Sequence, residues 1–389
     1  MKERFLIFLL VLLTIFSSGC SRSNDDLSSA SPESSDRSIT ASENTLSEDV
    51  TSTYKDLGAP QGSRYSTAGT SIRVLDMYVL DGMLYVGGGN WNVNSGPVDM
   101  WRYCIAQEEW EQLGSVPDEE VNEFVVLNGV LTVPGTDARQ DGWDLCNYYY
   151  LENDEWKVKR TIPNSSHCWD IAAYDGKLFA AVEYEADHEH YYVAVSEDNG
   201  NSFGVMPLLD QGAQPVKSGP FGRYYHLLTI DHELYAFCSG MLYQYDGSQF
   251  VFAADWSDKV TLGSLNGVSK DLSAAVNIGT TLYFSSTKLY ACSSADSLRE
   301  IELPNGGTVN DLYVYNDELY VLSIKTIPGE NSTSVIYKYG QDAFTVAAEL
   351  KHEIPAACLA VTEDKIYLGM ASNLNHNDNG RVFEIEKNH

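Results

Sequence analysis

The chain has 389 residues, of which 43% are hydrophobic and 12% aromatic, and its 55 acidic against 25 basic residues give a net charge of −30. Such an acidic surface repels nucleic acid, so we expect no nucleic-acid partner. Val, Ile, Thr and Tyr are frequent and apolar stripes with helical period are scarce, which favours an all-β fold.

The first 19 residues have the pattern of an export signal. Lys2 and Arg4 precede an apolar run at 5–16, which is too short to span a bilayer as a permanent helix. The following Ser17-Ser18-Gly19-Cys20 resembles the lipobox of bacterial lipoproteins, although Leu is usual where Ser17 stands. The resemblance implies a signal peptide at 1–19, lipidation of Cys20 and a membrane-anchored, extracytoplasmic location in a bacterial cell envelope. An ordinary signal peptide followed by a stray cysteine is the alternative.

Residues 20–53 are predicted to form a disordered tether. The segment is rich in Ser, Asp and Glu and has no aromatic residue, so it cannot bury a core. As a flexible coil it would span about 30 Å, enough to hold a folded head away from a membrane surface.

Residues 54–389 carry three repeated features, which together mark a repeat architecture. An aromatic or large apolar residue recurs every 46 to 48 residues, at Trp110, Trp156, Phe203, Phe250, Leu298 and Phe344. A tyrosine often precedes it by seven residues, at Tyr103, Tyr149, Tyr243 and Tyr337. A tight turn followed by an apolar residue recurs at Asp81, Asn128, Asp175, Asp231, Gly279, Asn316 and Glu363. Units of this length with four short strands are typical of β-propeller blades.

Two units also resemble known repeat families. The first resembles a kelch repeat, because an apolar strand leads into Gly87-Gly88 and Tyr103 precedes Trp110. In the third unit, Ser196-x-Asp198-x-Gly200-x-x-Phe203 resembles the Asp-box of propeller proteins, with Phe in place of Trp. That resemblance implies a turn closed by hydrogen bonds of the Ser and Asp side chains, and no catalysis.

The seven turns predict a seven-bladed β-propeller of four-stranded blades. The seventh unit has no outer-strand aromatic of its own, and residues 54–60 resemble residues 110–117, which end the first unit. We therefore predict that an N-terminal strand near Tyr54 completes the last blade and closes the ring, since an open sheet edge invites aggregation.

Loop lengths indicate which face of the propeller binds a partner. The connections after the second and fourth strands of a unit share one face. Those after the second strand are long in units 1, 2, 3, 6 and 7, and in units 4 and 5 the connections after the fourth strand are long instead. Function usually sits on such loops. Aromatic and basic residues there are predicted to contact a protein or glycan: Trp91, Trp143, Trp256, Phe221, Tyr224, Arg139, Lys217 and Arg223. Alternatively, the aromatic side chains fold onto their own blades.

A polar series marks the start of the first strand in each unit. Its members are Asp76, Glu123, Asp170, His226, Ala274, Asp311 and Cys358. One interpretation is an acidic funnel that binds a cation or polar ligand, for which Asp170 and His226 are our candidate residues. The favoured alternative is architectural, with each Asp accepting hydrogen bonds from backbone amides.

Two further motifs raise the question of metals, although we predict no cofactor. Asn375, Asn377, Asn379 and Glu386 resemble a calcium loop in spacing but lack its first Asp, so Ca²⁺ is an alternative to an Asn-rich turn. His188 and His190, beside Asp187 and Glu189, form a possible transition-metal pair or a solvated loop. The six cysteines after Cys20 are predicted to be buried free thiols rather than disulfides.

These features predict a non-enzymatic binding module for a protein or glycan, tethered to a membrane. The metalloprotease motif His-Glu-x-x-His and the phosphate-binding P-loop motif are absent from the sequence. The alternatives are a glycan-active hydrolase or lyase, which would use Asp170 or Glu123 with His226 and Arg223, and a scaffold of an envelope assembly complex.

Overall fold

The structure is a computed structural model that describes residues 52–60, 73–90, 96–138, 144–218, 226–260, 263–265, 268–270, 272–327, 329–372 and 376–388. These residues form an all-β fold with a propeller arrangement, in which four-stranded blades follow one another along the chain. The predicted all-β propeller class is therefore confirmed at this level. Among the described residues, no helix is long and apolar enough to cross a membrane.

Five four-stranded blades are formed. The first contains β2 (Arg73–Leu80), β3 (Met83–Gly89), β4 (Val98–Cys104) and β5 (Glu109–Val116). The second contains β6 (Val125–Leu127), β7 (Val130–Pro134), β8 (Leu145–Glu152) and β9 (Glu155–Pro163). Two more contain β20 (Ala274–Ile278), β21 (Thr281–Ser285), β22 (Leu289–Cys292) and β23 (Arg299–Ile301), then β24 (Thr308–Tyr315), β25 (Glu318–Lys325), β26 (Ser332–Gly340) and β27 (Ala343–His352). The last contains β28 (Ala356–Val361), β29 (Lys365–Met370), β30 (Val382–Glu386) and β1 (Tyr54–Gly58).

The remaining strands form an eight-stranded sheet and a hairpin. The sheet contains β10 (Ser165–Tyr174), β11 (Lys177–Tyr184), β12 (Tyr192–Ser196), β13 (Gly204–Leu209), β14 (His226–Ile230), β15 (Glu233–Cys238), β16 (Met241–Tyr245) and β17 (Phe250–Asp255). Its two halves are joined only where β13 and β17 pair in parallel, through Leu208↔Phe250 and Leu209↔Val251. The hairpin is β18 (Gly263–Leu265) with β19 (Val268–Lys270).

The repeated turn motif produces the first hairpin of each unit. In β2–β3 the turn residues Asp81 and Gly82 have φ of 50° and 76°, and Leu80 pairs with Met83 across the turn. Asn128-Gly129 and Asp175-Gly176 have the same positive φ values, which Asn, Asp and Gly tolerate best. In these units the sequence motif thus works through backbone conformation and sets the register of the first hairpin. The turn at Glu363 differs, because neither Glu363 nor Asp364 has a positive φ and Val361 pairs with Ile366 across it.

The repeated tyrosine and the aromatic residue seven positions later both lie on the two outer strands of their unit. Tyr103 pairs with Trp110 in the β4–β5 ladder, with ring centroids 5.1 Å apart. The rings of Tyr337 and Phe344 are 5.4 Å apart, but there the ladder pairs Phe344 with Tyr339. In these two units the spacing therefore brings the two rings into contact, through ladders of different register.

The turn predicted from Ser196 and Asp198 has the expected hydrogen bonds. Asp198 Oδ1 accepts bonds from the Asn201 and Ser202 amides, and Ser196 Oγ accepts one from the Gly200 amide at 2.8 Å. These donors lower the pKa of Asp198 to about 2, the Ser202 hydroxyl and amide contributing most. The turn is structural, as the motif implies.

The strand at Tyr54 pairs where the sequence predicts. β1 runs antiparallel to β30, and the Tyr54 ring stacks on Phe383 with centroids 4.6 Å apart. Arg381 forms an ion pair with Asp56. The indole N–H of Trp110 in the first blade donates to the Leu57 carbonyl at 2.8 Å. β1 therefore contacts both the last and the first blade.

The cysteines after residue 20 are free thiols, which confirms the prediction. Five of the six are buried, and Cys104 is half-buried. Burial raises the pKa values of Cys146, Cys168 and Cys358 well above their usual range, so these thiols are inert components of the core.

Candidate functional site

Three aspartates of the polar series connect neighbouring blades, which confirms the architectural interpretation for them. Asp76 Oδ2 accepts the Phe124 amide at 2.6 Å, Asp170 Oδ2 accepts the Leu227 amide at 2.7 Å, and Asp311 Oδ2 accepts the Leu359 amide at 2.8 Å. Each acceptor lies on the first strand of one unit, and each amide follows the equivalent position of the next unit. The aspartate is thus a latch between successive first strands.

Two of these aspartates also accept a hydrogen bond from an amide of their own strand, in units whose preceding unit has no carboxylate at this position. Asp76 Oδ1 accepts the Met77 amide and Asp311 Oδ1 accepts the Leu312 amide, both at 2.8 Å. The preceding units carry Cys358 and Ala274 at that position. Three carboxylates therefore serve five amides at the start of the first strands.

Glu123 and His226 depart from this pattern, and they stand on either side of Asp170 in unit order. One donor atom from each of the three side chains lies within 4.8 Å of the other two. His226 Nδ1 is 3.8 Å from Asp170 Oδ2, and the side chains of His226 and Asp170 are 14% and 8% exposed. We call Glu123, Asp170 and His226 the channel cluster.

The channel cluster lines a cavity of about 820 Å³. Residues from the first strands of all the units form its wall, so it runs along the centre of the propeller arrangement. Further along the same strands the lining is mixed, with apolar Val126, Ala173, Val276 and Val314 beside polar Asn128, Thr229 and Asn277. The charged groups of the cavity lie near the strand starts, where the two carboxylates and the imidazole converge.

The face predicted from loop lengths is only partly described by the structure. Trp91, Trp143, Arg139 and Arg223, together with Phe221, Tyr224 and the lipidation residue Cys20, lie outside the described residues. Asp170 and His226 are described and brought together in the channel cluster. The predicted binding role of these residues remains a prediction.

Trp256 was predicted to be exposed on this face, and that is wrong. Its side chain is buried at 1% exposure, stacks on Phe284 with centroids 5.6 Å apart, and donates its indole N–H to the Ala295 carbonyl at 2.9 Å. The chain after β17 makes a turn in which the Trp256 carbonyl accepts the amides of Lys259 and Val260. This turn directs the indole into the core, so Trp256 contributes packing area between β14–β17 and β20–β23.

The two histidines predicted as a metal pair are separated into different groups. His190 Nδ1 is 2.8 Å from Asp187 Oδ2, and Tyr192 also donates to that oxygen. These bonds, with the Tyr192 hydroxyl contributing most, lower the pKa of Asp187 to about 2. His188 instead joins Glu183 and Glu185, whose donor atoms lie within 4.8 Å of one another and of its own. We call Glu183, Glu185 and His188 the loop cluster.

Glu183 and Glu185 were not identified from the sequence. Glu183 lies at the end of β11 with its side chain 11% exposed, and His167 Nδ1 approaches it at 3.1 Å. The signal was present in the run Glu183-Tyr-Glu185-Ala-Asp187-His188, in which acidic residues alternate with other types. Alternation on a strand end places Glu183 and Glu185 on the same side.

The described residues of the calcium-like motif have other partners or are exposed. Glu386 ends β30 and forms an ion pair with Lys365. Asn379 Oδ1 accepts the Ser372 amide at 2.6 Å, Asn377 is exposed, and Asn375 lies outside the described residues. Ca²⁺ binding here remains an untested prediction.

A buried polar group that the sequence did not indicate lies in the connection after β5. Arg73 Nη2 is 3.5 Å from Glu120 Oε2, and both side chains are almost fully buried. Asp118 nearby is 1% exposed, and burial raises its pKa to about 7 against the smaller lowering effects of Tyr149 and Asn147. This connection therefore holds a carboxyl group that titrates near neutral pH.

Comparisons with known proteins add support for the fold. No protein-family model matches the chain, and neither does any curated protein. A chain of the mitotic checkpoint complex is similar over 88% of this chain and 97% of its own, at 11% identity and a TM-score of 0.52. The computationally designed Ika8 protein covers 82% of this chain and 98% of its own, at 10% identity and a TM-score of 0.46. At 11% identity, the likeness to the chain of the mitotic checkpoint complex shows the fold alone.

A third similar structure comes from B. thetaiotaomicron and is described as the extracellular domain of a hybrid two component system. It covers 82% of this chain at 11% identity and a TM-score of 0.48. The match spans 40% of that protein.

Proposed function

We propose that this protein is a lipid-anchored, extracytoplasmic β-propeller that acts as a non-enzymatic binding module for a protein or a glycan. The observation that carries the binding role is the convergence of Glu123, Asp170 and His226 where the charged groups of the central cavity lie. Carboxylates and an imidazole in a concave site form hydrogen bonds with hydroxyl and amide groups, which glycans and peptides both offer.

The proposed ring has seven blades and is closed by the N-terminal strand. The eight-stranded sheet counts as two blades, because β13 and β17 contact through two residue pairs while each half has its own antiparallel ladder. With the five four-stranded blades this makes seven. Closure through β1 is supported by its pairing with β30 and by the Trp110 hydrogen bond to Leu57. The kinship of single blades with kelch and Asp-box repeats belongs to the same proposal.

The binding role is tested with the full chain and two variants of the channel cluster. Glu123→Gln and His226→Gln should each weaken binding to whichever glycan or envelope protein the wild type captures from a defined array. Glu363→Gln, an exposed glutamate in a turn of the last blade, is the matched control and should bind normally. Equal binding by all four proteins would place recognition elsewhere and contradict the proposal.

The anchor is tested separately. The motif around Cys20 supports lipidation. Cys20→Ala should prevent incorporation of labelled palmitate in a bacterial host and move the protein out of the membrane fraction. A Cys20→Ala protein that stays membrane-bound and labelled would refute the anchor while leaving the binding role intact.

A glycan-active hydrolase or lyase is the second candidate, because Glu123 and Asp170 lie together beside His226. Their donor atoms are within 4.8 Å, which is shorter than the about 5–5.5 Å between the carboxyl groups of retaining glycosidases. The geometry thus suits joint binding of one atom better than acid–base catalysis. Product formation from a glycan panel by wild type, abolished in Glu123→Gln, would favour the enzyme instead.

A further inference from the structure

We propose that the channel cluster binds a divalent transition metal ion, with Zn²⁺ the best-suited ion. The inference rests on the proposed function, because it names the group through which this same site would hold its ligand. The three donors comprise one imidazole and two carboxylates from three successive units: Asp170 lies in β10, His226 begins β14, and Glu123 lies two residues before β6. Three protein ligands with a remaining open position are typical of zinc sites that interact with further molecules.

The distances are close to those that a metal requires. Tetrahedral Zn²⁺ with bonds of about 2.1 Å places its ligand atoms roughly 3.4 Å apart. His226 Nδ1 and Asp170 Oδ2 are already 3.8 Å apart, and all three donors lie within 4.8 Å. His226 and Asp170 therefore need to approach by about 0.4 Å, and Glu123 by at most about 1.4 Å, which changes of side-chain torsion angles can supply.

The surroundings hold two of the three donors in place. Asp170 lies inside β10 and His226 begins β14, so both are on paired strands rather than on a free loop. The Leu227 amide donates to Asp170 Oδ2, and ligating carboxylates commonly accept such a supporting hydrogen bond. Side chains that are already held on paired strands lose little conformational freedom when they bind an ion.

The donor types select the class of ion. A nitrogen ligand favours Zn²⁺ and its neighbours in the transition series over Ca²⁺ and Mg²⁺, which prefer all-oxygen sites. The repeat pattern supports the same reading. Two other units carry an Asp latch at this position, whereas the units on both sides of Asp170 carry Glu123 and His226.

The loop cluster provides the internal control, because it also has two carboxylates and one imidazole whose donor atoms lie within 4.8 Å of one another. Glu185 and His188 lie on the connecting loop after β11, and the His188 side chain is 55% exposed. We therefore expect it to bind more weakly than the channel cluster. A double variant, Glu185→Gln with His188→Gln, removes two of its three donors.

The experiment is a Zn²⁺ titration by calorimetry of the full chain in detergent, purified without a histidine tag. The wild type should bind one ion tightly, and His226→Gln or Glu123→Gln should weaken it by about 100-fold or more. The loop double variant should bind as the wild type does. Circular dichroism checks folding, and the Co²⁺ absorption spectrum should change in His226→Gln because a nitrogen ligand is lost.

Two results would overturn the proposal. One is a wild type without a site tighter than about 100 μM. The other is loss of the tight site in the loop double variant with retention in His226→Gln, which would assign the ion to the loop cluster. Ligand binding by metal-free protein is measured in parallel. A protein that binds its ligand without a metal would contradict only the metal site, and a protein that binds Zn²⁺ but no ligand would contradict only the binding role.

Discussion

The latch aspartates should stabilise the propeller strongly, and Asp311 is the cleanest place to test this. Asp311 is 9% exposed and accepts the Leu312 and Leu359 amides, both at 2.8 Å. A hydrogen bond to a charged group contributes about 1.5–3 kcal/mol, and a buried amide left without its acceptor costs a similar amount. Asp311→Ala removes both acceptors and should lower the free energy of unfolding by about 3–6 kcal/mol. Asp311→Asn keeps one acceptor oxygen and should lose about half of that.

The assay is urea unfolding followed by circular dichroism, with midpoints compared at constant slope. Asp317→Asn is the matched control, because Asp317 is exposed in a turn at φ 59°, a conformation that Asn adopts equally well. It should leave the midpoint unchanged. If Asp311→Asn and Asp317→Asn unfold at the same urea concentration, the latch contributes nothing and the reasoning fails.

Three further predictions concern other parts of the fold. Gly200→Ala should destabilise the protein, because φ is +77° and the new Cβ would lie 1.8 Å from the Tyr148 hydroxyl; a thermal midpoint equal to wild type would contradict this. Deleting residues 50–60 should unfold or aggregate the protein, because it removes β1, which pairs with β30. A thermal midpoint equal to that of the wild type would contradict the proposed closure of the ring by β1. The pKa of Asp118 is about 7 when folded and about 4 when unfolded, so the carboxyl lowers stability progressively from pH 4 to 7. The free energy of unfolding of Asp118→Asn should therefore rise relative to that of the wild type by about 1.4 kcal/mol per pH unit across that range. Parallel pH profiles of the urea midpoint for the two proteins would disprove this.

The sequence predicts the repeated parts of the structure well because those parts depend on local physics. Asp81-Gly82 adopts positive φ in any hairpin of this type, and Tyr103 meets Trp110 because their spacing matches one turn between two strands. The hydrogen bonds of Asp198 follow from the same kind of local rule. The pairing of β1 with β30 was also predictable, since residues 54–60 repeat a pattern found elsewhere in the chain.

The candidate site was less predictable because it depends on the direction of individual side chains. Trp256 lies between units, where sequence does not distinguish an exposed aromatic from one folded back onto Phe284. His188 and His190 are two residues apart, yet the turn at Asp187 sends them to different partners. Such outcomes are set by the path of a particular loop, which no period of the repeat constrains.

The polar series shows how architecture and function can be separated within one repeated position. If the series existed only for latching, aspartate would suffice throughout, because one carboxylate can serve two amides as Asp76 and Asp311 do. Glutamate at 123 is longer by one methylene group, and His226 exchanges the charge for a nitrogen donor, so both are departures from the latch type. They occur on the two sides of Asp170 and bring three donors within 4.8 Å at the cavity wall. Ala274 and Cys358 also depart from aspartate, but neither belongs to this donor set, whereas Glu123 and His226 meet at one latch and build the shared donor set on which the proposed site rests.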